Sequence, residues 1–341
     1  MGPDVAGARV HLAWCPQART ADVRCLVIGG AGFVGVAACR ELMRRGVETV
    51  AAGRTPRAYG TFTSYRVLDR DDPEQLGATL REVDPDVLLD LAAYQPVHVR
   101  AVLDRFRGRR YVFVSTGVYP DLHGRPASEA DFLPLAGDVP AGPLEYREGK
   151  RWCETLLARG DGVPWVAVRP PAVLGPEDPT LRVAAYPQRV EDGGPLLVPE
   201  ESFERPAGLA WVRDVGHACA LACELGRTAA GPYNVSFESA SLRDLLEAAG
   251  RALNRPVDVV PLPFAELPAG ASPYGPDPRR SAGYDLARAR SELGLRPSSI
   301  EEALADTLGW YLTHRPSHPG YAGRPAELAI ATGRPRRRLA R

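Results

Sequence analysis

The sequence predicts an α/β fold: a doubly wound parallel sheet followed by a smaller, loop-rich C-terminal domain. The first observation is that apolar, strand-like runs alternate with helical patterns through the first half. The runs are residues 23–30, 47–53, 65–69, 85–93 and 109–116. Strands that alternate with helices form parallel sheets with both faces covered. The second observation is that proline and glycine become frequent after about residue 175, where strand-like runs become sparse.

Local signals justify the elements in order. The first strand is the apolar run VRCLVIGG. The helical pattern after it, residues 33–46, ends at Gly46, and glycine favours a helix C-terminus. Asp72 followed by Pro73 is typical of an N-cap and the first turn of a helix. Further helical patterns cover residues 146–159, 241–253 and 299–315.

These patterns divide the chain into four parts. We expect a flexible extension at 1–21, a sheet domain at 22–175 plus 206–237, a lid over the sheet at 176–205 plus 238–316, and a basic tail at 317–341. The arginine-rich end, residues 334–341, is expected to be solvated and frayed because chain ends fray unless they are tied down.

Composition limits the partners and the compartment. Lys+Arg and Asp+Glu both number 42 among 341 residues. Zero net charge argues against nucleic acid or an acidic membrane as the main partner, because both favour a basic excess. No apolar stretch reaches the roughly 18 residues of a membrane span. The six cysteines form no CxxC pair and no zinc pattern, so we expect no metal and a cytoplasmic location. Cys219 and Cys223 are expected to pack as small apolar residues.

A glycine-rich segment, CLVIGGAGFVG at 25–35, lies between the first strand and the first helix. Gly29 permits a tight turn, Gly32 lets a pyrophosphate approach the backbone, and Gly35 lets the helix pack against the sheet. The free N–H groups and the positive dipole end of the helix favour phosphate. We interpret the segment as the phosphate-binding loop of a dinucleotide-binding Rossmann domain.

The end of the second strand bears on the choice between NAD and NADP. An acidic residue there would bind the adenosine ribose hydroxyls of NAD. This chain has Gly53 followed by Arg54, and a guanidinium suits the 2′-phosphate of NADP. The sequence therefore favours NADP over NAD slightly. The alternative is that Arg54 stacks on the adenine.

A tyrosine and a lysine four residues apart are the candidate acid/base pair. In YREGK, residues 146–150, Tyr146 and Lys150 share one helix face. A neighbouring ammonium and an oxidised nicotinamide would lower the tyrosine pKa from about 10 toward neutrality. Tyr146 would then exchange a proton with a substrate alcohol. Ser115 and Thr116 end the fifth strand, at the carboxyl edge where such sheets bind ligands, and supply a hydroxyl partner.

These segments together resemble an extended short-chain dehydrogenase/reductase of the NAD-dependent epimerase/dehydratase family. The matching pieces occur in family order: GGAGFVG, LDRDD (68–72), LAA (91–93), VSTGVY (114–119), YREGK, VRPPAVLGP (168–176), WVRDVGHA (211–218) and DLARARSELGLRP (285–297). The resemblance covers residues 23–315. It implies the Rossmann fold for the sheet domain, a substrate-binding role for the lid, a small-molecule substrate and a possible homodimer.

The resemblance also implies roles for individual residues. Asp69 would bind the adenine amino group, Thr116 would partner Tyr146, and Asp214 would be structural rather than catalytic. The implied cofactor-binding set is Gly29, Gly32, Phe33, Val34, Gly35, Arg54, Asp69, Leu91, Ala92, Ala93, Tyr146 and Lys150.

Two departures from the family pattern concern the strand-five motif. Gly117 and Val118 follow Thr116, where sugar 4,6-dehydratases of the family carry an Asp-Glu pair. Such a dehydratase is therefore not expected. The segment from Thr116 to Tyr119 is one residue shorter than the usual spacing. Either Ser115 or Thr116 is then the catalytic hydroxyl, and Thr116 is favoured.

A third departure concerns the substrate. Nucleotide-sugar members often carry a late arginine where this chain has Tyr274, which leaves Arg182, Arg189 and Arg280 as candidate substrate ligands. The first expectation is an NAD(P)-dependent oxidoreductase or epimerase acting on a secondary alcohol or ketone of a sugar or nucleotide-sugar-like metabolite. An NADPH-dependent ketoreductase of specialised metabolism, acting on a substrate without a diphosphate, is the alternative. A non-catalytic dinucleotide-binding protein is the second alternative.

Overall fold

The computed structural model describes residues 23–55, 60–120, 122, 124–160, 162–226, 228–271 and 283–339. The strands are β1 (Arg24–Ile28), β2 (Glu48–Gly53), β3 (Ser64–Val67), β4 (Val87–Asp90), β5 (Arg110–Val114), β6 (Trp165–Arg169), β7 (Ala172–Leu174), β8 (Leu196–Pro199), β9 (Leu209–Trp211), β10 (Gly231–Asn234), β11 (Asp258–Leu262) and β12 (Arg337–Arg338). The helices are α1 (Phe33–Arg44), α2 (Pro73–Val83), α3 (Pro96–Arg105), α4 (Tyr146–Arg159), α5 (Ala185–Glu191), α6 (Val212–Cys223), α7 (Leu242–Leu253), α8 (Ile300–His314) and α9 (Arg324–Ala331).

Seven strands form one parallel sheet in the order β10-β6-β5-β4-β1-β2-β3. The predicted doubly wound Rossmann sheet is therefore confirmed. Ile28, the last residue of β1, pairs with Ala52 on one side and Asp90 on the other. The strand order reverses at β1, and sheets of this kind bind ligands at the carboxyl edge beside such a reversal.

Local signals explain where the helices begin. Asp72 caps α2 as predicted: its Oδ1 accepts the N–H groups of Glu74 and Gln75 at 2.9 and 3.1 Å. Ser241 caps α7 in the same way, by accepting the Asp244 N–H at 3.1 Å. The bounds of α4 coincide with the predicted helix at 146–159. No described helix is long and apolar enough to cross a membrane.

Apolar side chains cover the two faces of the sheet. One core lies between the sheet and helices α1 and α6, and the other lies on the face of α2, α3 and α4. Four buried cysteines pack in the first core, namely Cys25, Cys39, Cys219 and Cys223. Burial raises the pKa of the Cys39 thiol to about 12. Cys219 and Cys223 pack in the same core as small apolar residues, as expected.

The smaller domain has a three-stranded sheet in which β11 pairs with β8 in parallel and with β12 in antiparallel fashion. The expectation that the arginine-rich end frays is wrong for residues 334–339, which are the described part of 334–341. Strand β12 pairs Arg338 with Asp258, and Arg324 on α9 is buried against Asp192 with an Nε–Oδ2 distance of 2.7 Å. Pairing of these arginines with acidic side chains ties the segment down. The predicted extension at 1–21 lies outside the described residues.

Candidate active site

The glycine loop after β1 has the geometry that a dinucleotide pyrophosphate requires. Gly29 has a φ of +84°, in the left-handed region that glycine tolerates best, and its N–H donates to the Ala52 carbonyl at 2.8 Å. A Cβ at Gly35 would collide with the Gly29 carbonyl oxygen, so α1 approaches the loop only because Gly35 has no side chain. Gly32 is the N-cap of α1 and leaves its first N–H groups uncovered by a capping side chain.

A cavity of about 650 Å³ opens beside this loop at the carboxyl edge of the sheet. It brings together nearly all the residues that the sequence proposed for cofactor and catalysis: Gly29, Gly32, Phe33, Val34, Gly35, Arg54, Asp69, Leu91, Ala92, Ser115, Thr116, Tyr146 and Lys150. Ala93 is the exception. It is fully buried in the core beneath the cavity, so the expectation that it contacts the cofactor is wrong.

Tyr146 lies at the start of α4 with 52% of its surface exposed. Partial burial raises its pKa above the usual value, and a hydrogen bond with the Thr116 side chain and the nearby Arg182 charge act in the opposite direction. The expected lowering toward neutrality is therefore not a property of the chain without a ligand. Lys150 is not among the groups that shift this pKa, and its Nζ lies 5.9 Å from the Tyr146 ring centre.

The two candidate hydroxyls at the end of β5 differ in their surroundings. The Thr116 side chain lies close enough to Tyr146 to lower the pKa of its phenol, whereas the Ser115 Oγ is buried and has no hydrogen-bond partner among the described residues. The structure therefore pairs Thr116 with the tyrosine and leaves Ser115 as an unsatisfied hydroxyl in the cavity wall.

Lys150 is almost completely buried under the site. Its Nζ donates to the Val114 carbonyl at 2.7 Å and lies 4.7 Å from the ring centres of Tyr94 and Phe113. Burial lowers the pKa of Lys150 to about 8, although Cys153, Asp90 and Glu154 act in the opposite direction. A buried ammonium costs free energy unless it is paired. The two rings and the carbonyl partly replace the water that Lys150 loses on burial, which reduces this cost.

Tyr94 is a site residue that the sequence analysis missed. It follows the LAA motif, lines the cavity, and lies 5.9 Å from Tyr146 between ring centres. Gly149 makes this approach possible, because a Cβ there would collide with the Tyr94 carbonyl oxygen. Gly149 in YREGK is a sequence signal that another segment approaches the helix closely. A single glycine in a helix does not indicate which segment that is.

The part of the cavity lined by Asp69 is supported by a buried ion pair that was also missed. Arg70 follows Asp69 and donates through Nη2 to Asp90 Oδ2 at 2.9 Å and to the His98 carbonyl at 2.7 Å. Asp90 Oδ1 in turn accepts the Ala92 N–H at 3.0 Å. The pair therefore links the Asp69 loop to the Leu91–Ala92 wall. The residue pattern gave no signal for it, because a charge run usually indicates a solvated surface.

The three lid arginines have different outcomes. Arg182 is half-buried and close enough to Tyr146 for its charge to lower the pKa of that phenol. Arg189 is fully buried and pairs with Glu327 at 2.8 Å, so the expectation that it binds substrate is wrong. Its guanidinium instead joins α5 to α9. Arg280 lies outside the described residues.

Two other expectations concern residues other than Tyr146 and Lys150. Asp214 accepts the Ser298 N–H at 2.8 Å and the Ser298 hydroxyl at 2.9 Å, which is the structural role predicted for it. Among the described residues, no group of three or more His, Cys, Asp or Glu side chains could hold a metal ion.

Comparison with known proteins shows what the chain is similar to. Residues 25–104 match the model of the NAD dependent epimerase/dehydratase family, which bears out the resemblance predicted from the ordered motifs. A putative dihydroflavonol 4-reductase of Synechocystis sp. is 27% identical over 338 residues, with 84% of this chain and 94% of the relative covered. UDP-glucose 4-epimerase of Lactobacillus helveticus is 23% identical over 341 residues, with 86% and 98% covered.

The fold is shared with a crystal structure of the Thermus thermophilus UDP-glucose 4-epimerase in complex with NAD. The TM-score is 0.64 at 24% identity, with 86% of this chain and 100% of that chain covered. The family match and the relatives support an NAD-dependent enzyme of the extended short-chain dehydrogenase/reductase type.

Proposed function

We propose that the chain is an NAD(P)-dependent oxidoreductase or epimerase that moves hydride at a secondary alcohol or ketone of a sugar-like metabolite. The observation that carries the proposal is the cavity that is lined both by the glycine loop and by Thr116, Tyr146 and Lys150. A dinucleotide held at the loop would reach the tyrosine along that cavity, because both lie at the carboxyl edge of one sheet.

The residues of the cavity supply the proton chemistry. When bound, the nicotinamide supplies or accepts the hydride. In the oxidation direction the substrate O–H proton passes to the Tyr146 oxygen as the substrate C–H hydride leaves, and Thr116 holds the substrate oxygen. In the reduction direction Tyr146 returns that proton. Lys150 places a positive charge beneath the site, with its Nζ 5.9 Å from the Tyr146 ring centre. The phenolate that accepts the proton would also depend on the positive charge of the oxidised cofactor.

We infer a preference for NADP from the end of β2. Gly53 offers no carboxylate to the adenosine ribose, and Arg54 lines the cavity next to it. A guanidinium at this place pairs with a 2′-phosphate. Fluorescence titration of NADPH and NADH should show tighter binding of NADPH. Arg54→Ala should remove most of the difference while it leaves NADH binding nearly unchanged; an unaltered ratio would exclude this role for Arg54.

The choice between an epimerase and a reductase depends on whether the cofactor stays bound. Purified protein that retains stoichiometric NAD, seen by absorbance and fluorescence after denaturation, would favour the epimerase. An exchangeable cofactor would favour a ketoreductase, which the inferred NADP preference also supports. The burial of Arg189 removes one candidate ligand for a substrate diphosphate. This observation favours the ketoreductase as the second candidate function.

Replacement of the phenol tests the enzyme against a non-catalytic binding protein. Tyr146→Phe should keep cofactor binding and lose turnover of the keto sugars, nucleotide sugars and small ketones screened with NADPH and NADH. Tyr311→Phe is the matched control, since that hydroxyl bonds to Glu191 at 3.0 Å and does not line the cavity. Equal turnover in Tyr146→Phe and wild type would overturn the acid/base assignment.

A further inference from the structure

A second, smaller cavity of about 190 Å³ lies next to the candidate active site and shares no lining residue with it. Two of its lining residues, Gly117 and Arg147, directly follow Thr116 and Tyr146 in the chain. A substrate whose oxygen lies between Thr116 and Tyr146 would therefore extend toward this cavity. At about 30 Å³ per water the space takes roughly six waters, which is the scale of one six-membered ring rather than a nucleoside diphosphate.

Tyr284 forms part of the wall of this cavity, and hydrogen bonds hold its backbone on both sides. Ala127 donates its N–H to the Gly283 carbonyl at 3.2 Å and accepts the Asp285 N–H at 2.9 Å. The buried Asn234 side chain donates to the Asp285 carbonyl at 3.1 Å. Tyr284 therefore belongs to the smaller domain but is fixed against the strand-five side of the Rossmann domain.

The Tyr284 side chain is seated between two glycines. A Cβ at Gly117 would collide with the Tyr284 hydroxyl oxygen, and a Cβ at Gly208 would lie 2.9 Å from its ring. The ring also lies 5.8 Å from the Tyr119 ring, between centres, at an angle of 60°. Two positions without side chains thus bring a phenol hydroxyl to the residue that follows Thr116.

We propose that Tyr284 is a specificity-determining residue and that this pocket binds an oxygen-bearing six-membered ring of the substrate. The inference rests on the proposed function, because it takes Thr116 and Tyr146 as the reacting end. The aromatic faces of Tyr119 and Tyr284 pack on the C–H groups of such a ring. The Tyr284 hydroxyl hydrogen-bonds to a ring oxygen away from the reacting carbon, which an unsubstituted cyclic ketone cannot offer.

A matched pair of ketones tests the inference. NADPH oxidation is followed with 4-hydroxycyclohexanone and with cyclohexanone, and the dissociation constants of both are measured by calorimetry on the NADP complex. Wild type should prefer the hydroxylated ring. Tyr284→Phe should reduce that preference by roughly three- to tenfold, the usual worth of one neutral hydrogen bond, through KM rather than kcat. NADPH affinity should not change.

A second variant moves the ring without removing its hydroxyl. Gly208→Ala should reduce the same preference, and Tyr311→Phe should leave it unchanged. If Tyr284→Phe loses the preference for the hydroxylated ketone in the dissociation constants but no protein turns over either ketone, the Tyr284 assignment is supported and the proposed function is overturned. Turnover with an unaltered preference in Tyr284→Phe would overturn the assignment and keep the function. Failure of both ketones to bind wild type would also overturn the assignment.

Discussion

We predict that the buried charge of Lys150 lowers the free energy of unfolding, although the proposed reaction requires this lysine. Its ammonium is almost fully buried, and burial lowers its pKa from 10.5 to about 8. One pKa unit corresponds to about 1.4 kcal/mol, so the buried charge costs about 3 kcal/mol at neutral pH. Lys150→Met removes this cost but leaves the Val114 carbonyl without its donor, a loss of about 1 kcal/mol. The net expectation at pH 7 is a gain of about 2 kcal/mol together with loss of turnover.

The pH dependence gives the sharper test. Below about pH 8 the lysine is protonated in both states, so the advantage of Lys150→Met is constant. Between pH 8 and the unfolded value of 10.5 only the unfolded state keeps the proton, and the wild-type free energy of unfolding rises with pH. From pH 7 to pH 9.5 the wild type should gain about 2 kcal/mol relative to the variant.

Urea unfolding of both proteins at the two pH values measures this difference, because groups common to both cancel. Tyr146→Phe is the control, since the pKa of that phenol is raised above its usual value of 10 and should not alter the difference below pH 9.5. The reasoning would be refuted if the free energies of unfolding of wild type and Lys150→Met changed equally between the two pH values. Equal changes would mean that the ammonium is solvated or paired in the folded protein.

Three further perturbations follow from packing. Gly35→Ala should weaken NADPH binding at least tenfold in fluorescence titration, because its Cβ collides with the loop carbonyl. Gly309→Ala, whose Cβ meets open space in α8, should leave binding unchanged. Glu154→Gln leaves the fully buried Arg169 without its charge partner and should cost about 3–5 kcal/mol in urea unfolding. Arg189→Ala should lower the unfolding free energy without altering substrate KM, and a KM effect at full stability would contradict its structural assignment.

The Rossmann half was predictable because its signals are local. The strand β1, the glycine loop and the helix α1 follow one another between Arg24 and Arg44. The structure bears out the short-range reasons given for Gly29 and Gly35. The tail was mispredicted because its stability comes from distant partners. Arg338 pairs with Asp258, eighty positions away, and no local pattern indicates such a partner.

The same distinction explains the errors at the site. Ala92 and Ala93 have identical side chains, and only the path of the chain between β4 and α3 decides that Ala92 lines the cavity and Ala93 is buried. Arg189 was a candidate substrate ligand because it lies in the lid and Tyr274 replaces the late arginine of nucleotide-sugar members. Its partner Glu327 is 138 positions away, so a buried ion pair could not be distinguished from a free cation.

The buried charges near the site form one system along α4. Tyr146, Lys150 and Glu154 follow one another at four-residue spacing and therefore share one helix face. Glu154 accepts from Arg169 Nε at 2.9 Å, and Arg169 Nη1 donates to the Tyr119 hydroxyl at 2.8 Å. A buried ion pair seldom adds stability over an apolar pair. Here the pair links α4 to β6 and, through Arg169, to Tyr119. We infer that the same contact positions both the candidate acid/base Tyr146 and the pocket lined by Tyr119.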